Sequence, residues 1–155
     1  MVYSLNHLIQ FCKFLVEIFP GNLKTPKSID VPGDFSSASF FILAALLAKN
    51  SKLIIRDVGL NPTRTGLISI LKLMGADILI NITKNDEFEP VGDIEVKSSS
   101  LKGIEVPYNL ISLSIDELPL VFLAAAYANG KTSIRNAKEL RYKESDRIKS
   151  MVSML

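Results

Sequence analysis

Residues 140–148, close to the carboxyl end of the chain, form a dense cluster of ionisable side chains soon after a long apolar segment. Six of these nine residues, tyrosine included, carry an ionisable group. Lysine and arginine side chains next to carboxylates can bind phosphate or carboxylate groups, and they can tune the pKa of a neighbouring acid for proton transfer. The stretch therefore predicts a site that handles an anionic ligand.

Lys143 and Arg147 are the two cations at the centre of this cluster. If a helix has begun by Tyr142, they share one face, where like charges repel by about 0.2–0.5 kcal/mol. We therefore expect an anion between them, aided by the free N–H groups and the dipole at the helix start. The alternative is a solvated helix surface, in which Glu144 pairs with Arg147. Glu139 could pair with Lys143 in the same way, so the residue types leave both interpretations open.

Two further aspartates stand before predicted helices. Asp116 precedes a proline-opened apolar helix and Asp34 precedes a similar one, so helix capping is the plain explanation for both. Residues 61–66 could donate to an anion through Thr63, Arg64 and backbone amides. A capped helix start explains the same residues, so they do not by themselves indicate a site.

The elements that must position these side chains form two similar copies. Residues 40–48 resemble residues 120–128, and both segments are too apolar to form an exposed helix. In each copy an aspartate precedes this helix, and a strand and a second helix follow it. The strands of the two copies are predicted at 53–56 and 132–135, and the second helices at 62–74 and about 142–155.

Strands that alternate with helices at this spacing predict an α/β fold, with parallel strand pairs joined by right-handed crossovers. Further strands are predicted at 76–83 and 94–96. The second copy stops at Leu155, on the last turn of its closing helix, whereas the first copy continues from the corresponding helix into a strand. The sequence is therefore predicted to be a piece of a larger protein.

The bulk composition narrows the class of protein. At 155 residues, with 48% hydrophobic and 22% charged residues, the chain can bury a core and fits a soluble globular domain. Its formal charge of only +2 argues against a nucleic acid or an anionic membrane as partner. With one cysteine and one histidine, we predict no intrachain disulfide, no metal site and a reducing, cytoplasmic setting. Polar and charged residues interrupt the apolar run at residues 1–20, which argues against a membrane anchor.

Four motifs, found in order along the chain, resemble the EPSP synthase family of 3-phosphoshikimate 1-carboxyvinyltransferases. They lie at residues 31–38, 61–66, 116–119 and 140–148, and the Lys-Glu-Ser-Asp-Arg core of the last is the most diagnostic. The resemblance runs from about residue 23 to Leu155, whereas residues 1–22 depart from the family pattern. It implies an incomplete α/β fold of repeated β-α-β-α-β-β units, the inside-out α/β barrel of this family. Two units are expected, at about 30–105 and 106–155, of which the second is truncated.

The resemblance also implies a reaction. The family transfers the enolpyruvyl group of phosphoenolpyruvate to the 5-hydroxyl of shikimate 3-phosphate, in aromatic amino-acid and chorismate biosynthesis, and needs no cofactor. By this resemblance Asp116 is the proton acceptor near the 5-hydroxyl and contacts shikimate 3-phosphate. Lys143 binds shikimate 3-phosphate and shares in the proton transfers. Glu144 exchanges protons with the methylene carbon, and Arg147 binds phosphoenolpyruvate.

Other parts of the family's active site are not found in this sequence. Family members have two domains with the site in the cleft between them. They also bind their substrates through an N-terminal lysine and serine segment, a serine and glutamine loop, and C-terminal arginine and lysine residues. The resemblance therefore implies that these 155 residues are inactive alone.

Other interpretations of the chain stay open. It could be a non-catalytic truncated α/β domain, or a half-enzyme that needs a complementing chain. The UDP-N-acetylglucosamine carboxyvinyltransferases share the fold and the donor substrate. The Lys-Glu-Ser-Asp-Arg motif favours the shikimate branch. The fold alone would not distinguish the two branches.

Overall fold

The structure is a computed structural model that describes residues 20–21, 25, 28–85 and 89–155. The chain divides into two compact units, residues 1–30 and residues 31–155. The predicted divergent segment 1–22 lies almost entirely outside the described residues. All the helices and strands given below belong to the second unit.

Helices and strands alternate along this second unit. The elements are α1 (Phe35–Leu47), β1 (Lys52–Gly59), α2 (Gly66–Leu73), β2 (Asp77–Asn85), β3 (Pro90–Lys97), α3 (Tyr108–Ser112), α4 (Leu118–Tyr127), a 3-10 helix (Lys138–Tyr142) and α5 (Arg147–Met154). Both predicted apolar helices are confirmed as α1 and α4, although each begins earlier than predicted. The strands predicted at 53–56, 76–83 and 94–96 correspond to β1, β2 and β3.

The three strands form one antiparallel sheet in the order β1-β3-β2. Val96 of the central strand β3 is fully buried, and it pairs with Leu53 on one side and Ile78 on the other. The predicted parallel pairing is therefore wrong for this sheet. Within the described residues, parallel pairing occurs only at isolated bridges: Gly33 with Val58, Lys102 with Asn129, and Glu105 with Ser133.

A short connection explains part of this antiparallel order. β2 ends at Asn85 and β3 begins at Pro90, and so short a connection suits antiparallel strands, whereas parallel strands need a long crossover. Alternating apolar and polar residues predict a strand but not the direction of its partner. The strand predicted at 132–135 is reduced to the single bridge at Ser133.

The two apolar helices α1 and α4 pack against one another in the core. Ile42 in α1 and Leu118 in α4 are completely buried, and burying such a side chain contributes about 1.5–3 kcal/mol. Phe40 and Phe41 of α1 are exposed, so this helix, although apolar on all sides, is not completely buried. The core therefore holds α4 firmly, directly after the position of Asp116.

Asp34 caps the amino end of α1. Its Oδ2 atom accepts hydrogen bonds from the hydroxyl and from the backbone N–H of Ser37, each at 2.7 Å. The capping interpretation of Asp34 is therefore confirmed. These two hydrogen bonds lower the pKa of the Asp34 carboxyl below its ordinary value of 3.8, because they stabilise the ionised form.

We expect Asp34→Ala to lower the free energy of unfolding by about 1 kcal/mol, because the side-chain cap is lost. The difference between wild type and variant should be full above pH 3.8 and should shrink as the pH falls through the lower pKa of the folded state. Urea unfolding across this pH range measures the difference. Asp34→Asn is the control, since asparagine caps a helix without titrating. A difference that stays constant while the carboxyl becomes protonated would contradict this assignment.

Candidate active site

Asp116 lies in the turn between α3 and α4, next to two cations. Its Oδ1 atom lies 3.5 Å from Nζ of Lys143 and 3.3 Å from Nη1 of Arg147. The side chain of Asp116 is 47% exposed, and those of the two cations are 25% exposed. The carboxylate of Asp116 therefore lies next to both cations. Three of the four predicted site residues come together at one solvent-facing point.

Asp116 does not cap α4. The N-cap position is occupied by Glu117, and the side chain of Glu117 makes no capping hydrogen bond. The capping interpretation of Asp116 is therefore wrong. The turn is held instead by the backbone, because the N–H of Glu117 donates to the carbonyl oxygen of Ser114 at 2.9 Å. This arrangement leaves the Asp116 carboxylate to Lys143 and Arg147.

Lys143 and Arg147 reach this carboxylate from different local structures. Lys143 follows the 3-10 helix, whereas Arg147 is the first residue of α5. The predicted helix start at Tyr142 is therefore wrong, and the two cations do not share a helix face. Asp146 explains the later start, because its side chain accepts a hydrogen bond from Lys149 N at 2.9 Å and so caps α5. An aspartate just before an amphipathic run is a sequence signal for such a cap.

Arg147 connects two carboxylates. Its Nη1 atom donates to Asp116 at 3.3 Å, and its Nη2 atom donates to Oε2 of Glu144 at 2.9 Å. The hydrogen bond with Glu144 raises the pKa of the Arg147 guanidinium. A hydrogen bond from its own backbone N–H, followed by the bond from Arg147, lowers the pKa of the exposed Glu144 carboxyl. Both shifts favour the charged forms, so Arg147 and Glu144 form an ion pair.

The ion pairs of the alternative interpretation are also present. Oε1 of Glu139 lies 3.8 Å from Nζ of Lys143, and Glu144 pairs with Arg147. Because α5 begins only at Arg147, neither pair lies within one continuous α-helix. Exposed pairs of this kind contribute little to stability. They coexist with the contacts of Lys143 and Arg147 to Asp116.

Two apolar side chains anchor this charged segment. Leu140, in the 3-10 helix, is completely buried, and Ile148, in α5, packs against the core. Between these anchors, Nη1 of Arg141 donates to Oδ2 of Asp146 at 2.8 Å and ties the 3-10 helix to the start of α5. The anchors flank Lys143 and therefore fix the backbone that carries this cation.

Residues 61–65 form a turn that precedes α2. Oδ1 of Asn61 accepts hydrogen bonds from the N–H of Thr63 at 2.9 Å and from its hydroxyl at 2.7 Å. Because α2 begins only at Gly66, the predicted helix start at residue 62 is wrong. Nη2 of Arg64 donates to the hydroxyl of Ser36 at 3.0 Å, a contact that the sequence did not predict.

Metal-binding clusters and membrane-spanning helices were not found in the described residues. No group of three or more histidine, cysteine, aspartate or glutamate side chains in those residues is placed to hold a metal ion. No helix in the same part of the chain is both long and apolar enough to cross a membrane.

The fold and the site define an α/β chain whose carboxylates and cations suit phosphorylated or carboxylated small molecules. The family model of EPSP synthase (3-phosphoshikimate 1-carboxyvinyltransferase) matches residues 13–155. The chain belongs to this EPSP synthase family. The resemblance carried by the four motifs is thereby confirmed.

Similar proteins agree with this assignment. The 3-phosphoshikimate 1-carboxyvinyltransferase of Petrotoga mobilis is 61% identical over 125 residues, which cover 81% of this chain and 29% of the relative. The enzyme of the same name from Carboxydothermus hydrogenoformans is 55% identical over 138 residues, which cover 89% of this chain and 32% of that relative. A solved EPSP synthase from Acinetobacter baumannii is 48% identical, with a TM-score of 0.76 over 79% of this chain and 28% of that chain. The predicted α/β fold class is therefore confirmed, and the chain spans less than a third of the length of these relatives.

Proposed function

We propose that this chain supplies one part of the site at which an EPSP synthase acts. The reaction transfers the enolpyruvyl group of phosphoenolpyruvate to the 5-hydroxyl of shikimate 3-phosphate and gives 5-enolpyruvylshikimate 3-phosphate and phosphate. The position of Asp116 Oδ1 between Lys143 and Arg147 carries the proposal. The names of the relatives support it, and they favour the shikimate branch over the UDP-N-acetylglucosamine branch.

The contacts of Asp116 leave both cations open to exchange with a substrate. Distances of 3.5 and 3.3 Å exceed the roughly 2.7–2.9 Å of a strong charge-assisted hydrogen bond. Shikimate 3-phosphate can therefore take over Lys143 at a small cost in lost contacts. Asp116, released from Lys143, then accepts the proton of the 5-hydroxyl, and Lys143 shares in this proton transfer.

Arg147 and Glu144 suit the other substrate. The planar guanidinium of Arg147 can bind a carboxylate or a phosphate with two parallel N–H groups, and phosphoenolpyruvate carries both. Oε2 of Glu144 lies 2.9 Å from Nη2 of this guanidinium. It is therefore placed to exchange a proton with the methylene carbon of phosphoenolpyruvate bound at Arg147.

We place residues 23–155 in a partial EPSP synthase domain with two repeat units, at about 30–105 and 106–155. The apolar helices α1 and α4 support this division, because each contributes the central helix of one unit and they pack against one another. α2 and α5 follow them as second helices. In the second unit the last described element is α5, which ends at Met154.

The rest of the binding site would have to come from outside these 155 residues, since they span less than a third of the relatives. We propose that the chain is inactive alone and that turnover needs a complementing chain, in the cytoplasm. A non-catalytic truncated domain is the second candidate. It is favoured by the same observation, that the chain spans less than a third of the length of these relatives. Turnover by the purified chain in a phosphate-release assay would overturn the proposed inactivity.

Calorimetric titration of shikimate 3-phosphate into the purified chain tests the proposed site. We expect Lys143→Ala to weaken binding by about 10- to 100-fold, because a hydrogen bond to a charged group is worth about 1.5–3 kcal/mol. Lys149→Ala is the matched control, since Lys149 is an exposed lysine of α5, and it should bind like wild type. Equal affinity of the two variants, or no binding by wild type, would contradict the proposed site.

A further inference from the structure

Glu117, the neighbour of Asp116, is a buried carboxylate to which the mechanism above gives no role. It is 4% exposed, and it is the sole ionisable residue among the buried side chains of the described residues. Its Oε1 atom accepts a hydrogen bond of 2.6 Å from the hydroxyl of Ser36, in the first turn of α1. Burying a carboxylate is costly unless it is hydrogen-bonded or paired, so this contact is needed to hold Glu117 inside.

Ser36 in turn connects Glu117 to a cation. Its oxygen accepts a hydrogen bond of 3.0 Å from Nη2 of Arg64, in the turn before α2. A serine hydroxyl has one proton to donate and two lone pairs that accept, so both contacts use Ser36 in a permitted sense. The result is a directed chain from the guanidinium through the hydroxyl to the carboxylate, in which the positive end offsets the buried negative end.

The backbone of Glu117 fixes the turn that presents Asp116. The N–H of Glu117 donates to the carbonyl oxygen of Ser114, and its carbonyl oxygen accepts from the N–H of Leu120, both at 2.9 Å. Glu117 therefore ties the turn to the first residues of α4. Because Glu117 is bonded to Asp116, a shift of Glu117 would also displace Asp116. A displacement of about 1 Å at a reacting group can lower the rate by about 100-fold.

We propose that Arg64, Ser36 and Glu117 form a positioning network that fixes the Asp116 carboxylate between Lys143 and Arg147. The network joins the start of α1 and the turn before α2 to the turn before α4. The network itself is inferred only from these contacts. What the positioned carboxylate does rests on the proposed function.

Two adjacent serines of α1 provide the test. Ser36→Ala removes the hydroxyl of the network, whereas Ser37→Ala removes a hydroxyl that donates to Asp34 at the helix cap. In NMR spectra of the 155-residue chain, we expect Ser36→Ala to shift the Asp116 carboxyl carbon and the Arg147 guanidinium signals, while Ser37→Ala leaves them in place. Amide exchange at Glu117 should become about 5- to 10-fold faster in Ser36→Ala, as expected for the loss of one hydrogen bond. Ser36→Thr keeps the hydroxyl and should restore both readouts.

A folded Ser36→Ala chain with wild-type signals at Asp116 and Arg147 would overturn the proposal and leave the network a purely structural contact. If Ser36→Ala does not fold, Arg64→Gln decides, because Arg64 is exposed: displaced signals support the network and unchanged signals overturn it. Titration of shikimate 3-phosphate separates this proposal from the proposed function. Absence of binding in wild type counts against the function, whereas the NMR signals still decide the network.

Discussion

Leu140→Ala is expected to lower the free energy of unfolding by about 2–5 kcal/mol. Leu140 is completely buried in the 3-10 helix, so the shorter side chain leaves a cavity that its neighbours fill only in part. The same change loosens the backbone that carries Lys143, and binding of shikimate 3-phosphate should weaken with it. Urea unfolding followed by circular dichroism measures the loss of stability.

Tyr142→Ala is the matched control for this substitution. Tyr142 belongs to the same 3-10 helix but is 83% exposed, so its removal should change stability by no more than about 0.5 kcal/mol. Similar losses in the two variants would show that Leu140 does not anchor the segment.

Gly103→Ala should destabilise the fold by about 1–3 kcal/mol or more, because two backbone segments meet at this glycine. A Cβ atom at position 103 would clash with the carbonyl oxygen of Lys131 and would lie 2.7 Å from its backbone nitrogen. Backbone atoms cannot turn away as the end of a side chain can. Moving the two segments apart would also weaken the hydrogen bond of 2.8 Å from Gly103 N to the carbonyl oxygen of Asn129.

Gly59→Ala is the comparison for Gly103→Ala. A Cβ atom at position 59 would have side-chain atoms of Pro32 and Glu89 as its nearest neighbours, at 3.2 and 3.3 Å. We expect a smaller loss there, because the Glu89 side chain can move. Thermal unfolding of the wild type and both variants shows which substitution destabilises the fold more. If Gly103→Ala unfolds at the same temperature as the wild type, the close approach at Gly103 does not constrain the fold.

Some of this fold could be predicted because few structures suit the residues concerned. A helix that is apolar on all sides, such as α1 or α4, is predicted from composition to pack against a core, and both helices do so, although α1 leaves Phe40 and Phe41 exposed. The direction of the strands could not be predicted in the same way, because it depends on which partners the whole chain brings together. The start of α5 was missed because residues 142–146 suit a helix by type, and the capping side chain of Asp146 decides where the helix begins.

The candidate site also has a part that could be predicted from the sequence and a part that could not. Asp116, Lys143 and Arg147 were predicted together because they lie in diagnostic motifs, and the structure places a nitrogen of each cation within 3.5 Å of Asp116 Oδ1. Glu117 and its link to Arg64 were not predicted. Ser36 lies 81 residues from Glu117 and 28 residues from Arg64 along the chain, and contacts over such distances leave no pattern in the local sequence.

The forked side chain of Arg147 makes three positions depend on one another. Its two terminal nitrogens each serve a different acid, Asp116 and Glu144, so one guanidinium balances two negative charges. A lysine at this position would offer a single point charge and could not serve both acids with the same geometry, so it is not an equivalent replacement. Over evolutionary time, a change at any one of these positions alters the selection on the other two. We therefore expect them to vary as a set.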